Sequence, residues 1–410
     1  MRRRDLLPLL GACGGLALAG GLRTRTARAA LPREIAEIRR RARGQTVWFD
    51  AWGGSPEINR YIAWAGERVR ELYGVRLEHV RLRDTAEAVA RIVAEVEAGR
   101  TEGGSIDLVW INGENFRHLK ERGLLFGPIT PLLENFALVD VEHNPTVLVD
   151  FTIPTDGYEA PWGTAQFVFL YDTARVPEPP RDFPALFDWI RANPGRFTHP
   201  RPPDFVGSTF LKHLLYAVGI PRERLAAPVG AADFAALARP VFDLLDGLYP
   251  HFWRRGRRFP DTQGAQHRLF ADGEVDVSMS FNPAEAANLI LAGRLSESVR
   301  TFVPAEGTIG NTHFLAIPVN AAHREGALTV IDFLLSPEAQ ARKLDPAVWG
   351  DGTVLAMEKL SPEQRALFSA VPTHPAILPP ERRRPVLPEP HPDWMERMEE
   401  AWLSRYGTPG

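Results

Sequence analysis

With 410 residues, 44% hydrophobic and 24% charged, the chain has length for two ordinary domains with full cores. A net charge of −3 and a single cysteine exclude a strongly basic nucleic-acid binder and a disulfide-built scaffold. Beyond the N-terminus no apolar run is long enough to span a bilayer.

The first segment reads as an export signal over residues 1–29. Arg2-Arg3-Arg4-Asp5-Leu6-Leu7 leads into an apolar, glycine-rich run to Leu22, and Ala27-Arg28-Ala29 supplies a small-x-small cleavage site. The Arg3-Arg4 pair resembles the twin-arginine type, so a periplasmic protein cut near Ala29 is expected. Cys13 lies within the signal. Lipid attachment there is the lesser reading, because the apolar run continues past the cysteine. The signal carries six Arg and one Asp, net +5, which leaves −8 on the remainder. That remainder has no cysteine for disulfides, thiolate chemistry or metal.

Residues 33–43 predict a short basic helix with a thin apolar stripe, read as a solvated terminus. Val47-Trp48-Phe49 predicts a buried strand, Gly53-Gly54 a sharp turn, and Ser55-Pro56 a capped helix start. Val75–Leu82 predicts a second strand, and Asp84 with Glu87 an Asp-type capping box. Ile106–Ile111 predicts a third strand, followed by Asn112-Gly113-Glu114-Asn115 and another helix. This β-α-β-α-β order argues a doubly wound sheet with two carboxylate-bearing glycine turns at one sheet edge.

The breaker-rich stretch Glu159–Gln166 reads as a loop carrying the chain into a second lobe, ahead of a strand at Phe167–Tyr171. Phe183–Ile190 predicts a helix, Arg196-Phe197-Thr198 a strand start, and Phe210–Val218 an amphipathic helix. Gly207-Ser208-Thr209 precedes it. Ordinary capping is favoured there over a phosphate cradle, because P-loop spacing and its lysine are absent. The basic run 254–258 reads as a solvated face or partner contact. Val275–Phe281 predicts a strand, turned by Asn282-Pro283 into a helix bearing Glu285. Thr301–Val303, Gly307–Gly310 and His313–Pro318 predict short separate strand pieces, with Gly307 and Gly310 as hinge points. Residues 361–410 are proline-rich and predict a surface wrap ending in a helix near Trp394–Tyr406.

Ala51-Trp52-Gly53-Gly54-Ser55-Pro56, Asp107–Phe116, Gly273-Glu274-Val275-Asp276-Val277 and Phe333-Leu334-Leu335-Ser336-Pro337-Glu338-Ala339-Gln340 resemble the solute-binding proteins of bacterial ABC importers. Ala51–Asn59 with Trp110–Phe116, and Val348–Thr353, are most similar to a Gram-negative branch related to polyamine-, thiamine- and iron-binding members. The resemblance spans roughly residues 45–360. It implies an α/β, two-lobed periplasmic binding protein of type II, each lobe a doubly wound sheet flanked by helices, with a ligand cleft between them. Residues 45–160 plus 307–360 would form lobe one, 161–306 lobe two, and 361–410 the C-terminal segment. The implied partners are a small-molecule ligand and the permease and ATPase subunits at the inner membrane. A monomer is expected, with no cofactor, no metal and no nucleic acid.

The expected ligand residues lie in five cleft loops. They are Asp50, Trp52, Gly53, Gly54, Ser55, Asn112, Gly113, Glu114, Asn115, Trp162, Thr164, Gln166, Phe281, Asn282, Glu285 and Asn311. The loops (50–57, 112–116, 159–166, 281–288 and 304–313) hold six carboxylates and no Lys or Arg. With Trp52, Phe116, Trp162 and Phe281 they suit a small organic cation such as a polyamine, a quaternary amine or a thiamine-like compound. An anion or sugar is the alternative within the family. Iron is disfavoured because the seven tyrosines include no adjacent pair. An exported enzyme using strand-end carboxylates is the competing class. Against it, no dinucleotide G-x-G-x-x-G pattern, serine elbow or His-x-x-x-His pair is present.

Overall fold

The chain enters its first sheet at Thr46–Trp52 (β1) and returns to it repeatedly, in a computed structural model that describes residues 31–407. The expected export signal, with Cys13, lies outside the described residues. The remaining strands are Arg76–Leu82 (β2), Leu108–Ile111 (β3), Leu125–Phe126 (β4), Val149–Asp150 (β5), Ile153–Pro154 (β6), Glu159–Gln166 (β7), Val168–Asp172 (β8), Val277–Ser280 (β9), Val299–Phe302 (β10), Thr308–Pro318 (β11) and Val386–Leu387 (β12). The first sheet runs β12-β11-β3-β1-β2, and β4 and β7 also pair β11. β1 lies parallel to β2 and β3, joined by the helices Pro56–Tyr73 and Ala86–Glu97. This is the doubly wound unit, with a separate apolar core on each face. Val47, Phe49 and Ala51 enter one core, while Val109, Ile111 and Leu82 enter the other.

β7 and β11 form the antiparallel pair that leads between the lobes, from Ala316↔Glu159 to Gly310↔Gln166. Two expectations change here. Glu159–Gln166 is a strand, not a loop, and Thr308–Pro318 is one continuous buried strand, not separate pieces. Pro161 and Gly163 look like breakers, but they flank a bulge opposite His313 and Phe314, a place where a sheet admits proline. The polar residues of β11 each find a partner from another element. Thr312 bonds Thr146, Asn311 bonds Glu389, and His313 lies 3.1 Å from Asp351.

The second sheet is smaller, three antiparallel strands in the order β10-β8-β9. Its main core gathers Phe167, Phe169, Phe183, Phe197 and Phe210 with Leu211, Leu214 and Val277. Arg196–Thr198 is not a strand, although Phe197 is fully buried. The helix Pro392–Tyr406 is not laid on the surface either. Trp394, Met398 and Trp402, spaced four apart, are buried in this same core. The helix Leu31–Ala42 corrects another expectation. Ile35 and Ala42 are buried, and Arg39 meets the buried Asp332 at 2.6 Å, so the stretch is docked and not merely solvated.

Candidate ligand cleft

The loops after β2 and β3 open at the carboxyl ends of the parallel strands, where ligands bind in such sheets. Gly113 turns the chain at φ +62, and a Cβ there would lie 2.7 Å from the Phe151 ring. Its N–H donates to Asp150 Oδ2 at 2.6 Å. Glu114 then begins the helix Glu114–Glu121 with its side chain half-buried. Gly113→Ala is expected to cost about 1–3 kcal/mol, from backbone strain and the clash with Phe151. Urea unfolding checks the stability, and a loss within experimental error would show that the turn tolerates a side chain.

The opposite wall is the helix Phe205–Ala217. Asp204 caps it, accepting from the N–H groups of Val206 and Gly207, so the helix starts five residues earlier than expected, and Gly207-Ser208-Thr209 lie inside it as neither cap nor phosphate cradle. Phe205 is exposed and packs edge-on against half-buried Phe281 at 5.2 Å. Lys212, two turns further, is fully buried. Its Nζ donates to Glu389 Oε2 at 2.6 Å and sits 4.8 Å from the Phe151 ring centre and 5.1 Å from that of Phe205. Asn311 Nδ2 donates to the other oxygen of Glu389. Next to Lys212, His213 locks this helix to the crossing strand. Its Nε2 accepts the Ile309 N–H at 2.8 Å, and its Nδ1 contacts Thr209 O. Burial pushes its pKa down to about 3, which keeps it a neutral acceptor.

Carboxylates gather in this space. Burial pushes Glu114 up to about 8, and the charges of Glu399 and Asp84 add to the effect while Lys212 opposes it. Glu399 is likewise pushed up to about 7 by burial, against a hydrogen bond from Ser208. Asp150 is held well above the ordinary range by burial, with Glu114 and Glu389 adding to it. Its Oδ1 is buried without a partner. Glu159 is raised by burial and by Asp150, and neither of its oxygens has a partner. Six carboxyls thus couple in a chain, Glu159 to Asp150, Asp150 to Glu114 and Glu389, and Glu114 to Glu399 and Asp84, with Lys212 acting on Glu114 and Glu399 and Lys120 on Glu159.

Of the expected residues, Gly113, Glu114 and Asn115 follow β3 with half-buried Asn112 adjoining Gly113, while Phe281 meets Phe205 of the wall helix. Asn115 Nδ2 donates to Glu114 Oε1 at 2.9 Å. Asn311 contributes from beneath, through Glu389. Asn282 joins the lobes, donating to Asn288 Oδ1 and to Trp349 O. Glu285 lies 3.3 Å from His267. Trp52 is half-buried at the end of β1, over Gly54, where any Cβ would strike its ring. Gly53 N–H closes onto Leu82 O, and Ser55 caps the following helix through the Ile58 N–H.

Four expectations are corrected. Asp50 is buried inside lobe one, 3.2 Å from Arg91, because alternation along β1 turns it away from the face shared by Phe49 and Ala51. Trp162, at the bulge, is a core tryptophan packed edge-on against Trp110 and Trp349. Gln166 is an interior clamp that donates to Thr308 Oγ1 and Arg383 O. Thr164 spends its N–H on Gly352 O within the crossing. Sequence reasoning missed Asp84, Phe151, Phe205, Ser208, Lys212, Glu389 and Glu399. No local pattern separates Glu389 or Glu399 from a solvated acidic face.

Residues 64–366 match the family model of bacterial extracellular solute-binding proteins. The chain belongs to that family. This binding protein is 45% identical to protein YnjB of Escherichia coli K12 over 372 residues, 91% of this chain and 94% of that one. Over 94 residues, 23% of this chain and 26% of the other, it is 32% identical to the spermidine/putrescine-binding periplasmic protein of the same strain. Its fold also matches the periplasmic binding protein AfuA of Actinobacillus pleuropneumoniae, solved with fructose-6-phosphate bound. That TM-score is 0.62 at 14% identity, covering 89% of this chain and 99% of that one. The family and the fold neighbours are solute-binding proteins, not enzymes. Membership brings a small-molecule ligand and the other components of an ABC transporter.

Proposed function

We propose that the binding protein captures a small organic cation, such as a polyamine, a quaternary amine or a thiamine-like compound, between its lobes in the periplasm. It delivers that cation to the permease at the inner membrane. The observation that carries this reading is the electrostatic coupling of Glu114 with Glu399, on two helices that Arg117 bridges, around Lys212 and the Phe205 ring. Like charges held close in a partly desolvated space are costly, and a bound cation relieves that cost. Lys212 shows the chemistry on a small scale, an ammonium held between two phenyl rings and a carboxylate. The spermidine/putrescine-binding relative agrees with this reading, although its match covers only 94 residues.

Isothermal titration with an amine panel (putrescine, spermidine, choline, thiamine) and a panel of phosphates, carboxylates and sugars tests it. An amine response is expected. Tight binding of an anion or a sugar with no amine response would overturn the reading. The pH profile is a second expected result. Glu114 and Glu399 hold protons up to about 8 and about 7, and a cation favours their ionised forms. Amine affinity should therefore rise as pH rises from 6 to 8, and protons should be released on binding. Heats measured in two buffers of different ionisation enthalpy count those protons. An affinity that falls over this range would contradict the assignment.

A further inference from the structure

The family match ends at residue 366, whereas the terminal helix begins at Pro392. That helix nevertheless reaches the cleft. Arg117 lies one turn after Glu114, and its guanidinium meets Asp393 through one nitrogen and Glu396 through the other, the latter at 2.6 Å. Glu399 lies one turn beyond Glu396. Two helices therefore run side by side, one carrying Glu114 and Arg117, the other carrying Asp393, Glu396 and Glu399. Trp394, Met398 and Trp402 fix the second helix in the core of lobe two, so its acidic face cannot turn away. Ser208 Oγ donates to Glu399 Oε1 from the wall helix, one turn before Lys212. Nearby, the wholly buried Asp150 Oδ1 has no partner in the same charged group.

We propose that the C-terminal helix is part of the binding site. Glu399 is a ligand-contacting carboxylate facing Glu114 across the cleft, and Arg117 is the positioning residue that holds their helices together. The inference rests on the cation reading for its ligand class, but not for the pairing of Glu114 with Glu399. Glu399 approaches from lobe two while Glu114 belongs to lobe one, so a ligand with two cationic centres would bridge the lobes. A ligand with one centre would engage a single carboxylate and draw the lobes together less strongly.

The test uses spermidine and choline as separate probes on the full chain. Glu399→Gln should weaken spermidine at least tenfold and choline less, lowering the ratio of the two affinities. Arg117→Gln should weaken both probes by a similar factor and leave the ratio unchanged. Glu114→Gln should behave like Glu399→Gln. Spermidine affinity that is normal in Glu399→Gln but lost in Glu114→Gln would overturn the helix's part in the site while leaving the cation reading standing. A ligand-free measurement keeps the two failures apart. Carboxyl carbon NMR should show the Glu114 titration moving to lower pH in Glu399→Gln, because a facing charge has been removed. An unmoved titration overturns the proposal whatever ligand binds. A moved titration with no response to either probe sinks the cation reading alone.

Discussion

Replacing Lys212 with methionine is expected to cost about 3–5 kcal/mol of unfolding free energy at neutral pH. Lys212 and Glu389 are each about 1% exposed and paired at 2.6 Å. Methionine nearly fills the volume of lysine, so little of the loss comes from packing. The loss comes from leaving the Glu389 carboxylate buried with only Asn311 for a partner. A buried carboxylate short of partners costs free energy however the site relaxes around it. The double variant Lys212→Met with Glu389→Leu removes the stranded charge and should recover much of the loss, since an apolar pair can replace a buried ion pair at little cost. Urea unfolding of the two variants checks both statements. A loss below about 1 kcal/mol in Lys212→Met would show that the pair contributes no more than a surface bridge.

Trp402→Ala should be comparably severe, about 3–5 kcal/mol. Trp402 is about 1% exposed, packs edge-on against Phe259 at 5.0 Å, and donates its Nε1–H to the Tyr249 hydroxyl. Alanine leaves a cavity beneath the terminal helix and removes a donor from Tyr249, which also bonds His199. A helix that only wrapped the surface would lose about 0.5 kcal/mol or less on the same change. Thermal or urea unfolding separates the two cases directly.

The strand–turn–helix at Val47–Tyr61 was legible because each signal is local: an apolar run, two glycines, a serine cap and a proline at the first helical position. The first sheet was legible for the same reason. Glu159–Gln166 was not, because Pro161 and Gly163 mark a loop unless the partner strand supplying the bulge is known. Glu114 was legible as the residue that opens a helix after a strand and a glycine turn. Its companions were not. Glu399 lies 285 positions away on a helix whose tryptophans predict burial but not against what. Lys212 reads as the polar residue of an amphipathic helix, although every residue from Val206 to Leu215 is buried. Trp162 failed in the opposite sense. An aromatic residue between breakers resembles a ligand wall, and only the facing Trp110, His313 and Trp349 identify it as core.

The Arg117 bridges set a population as well as a position. Periplasmic binding proteins close by hinge motion around their ligand, and a ligand pays for whatever fraction of the protein stands open. Partly exposed ion pairs contribute about 0–1 kcal/mol each, so the double clasp on Asp393 and Glu396 shifts the open-to-closed ratio by about thirtyfold at most. That factor passes straight into the apparent affinity, though no atom of the clasp need touch the ligand. It is also screened by salt. The ionic strength of the surroundings therefore adjusts how much of the protein stands ready before any solute arrives.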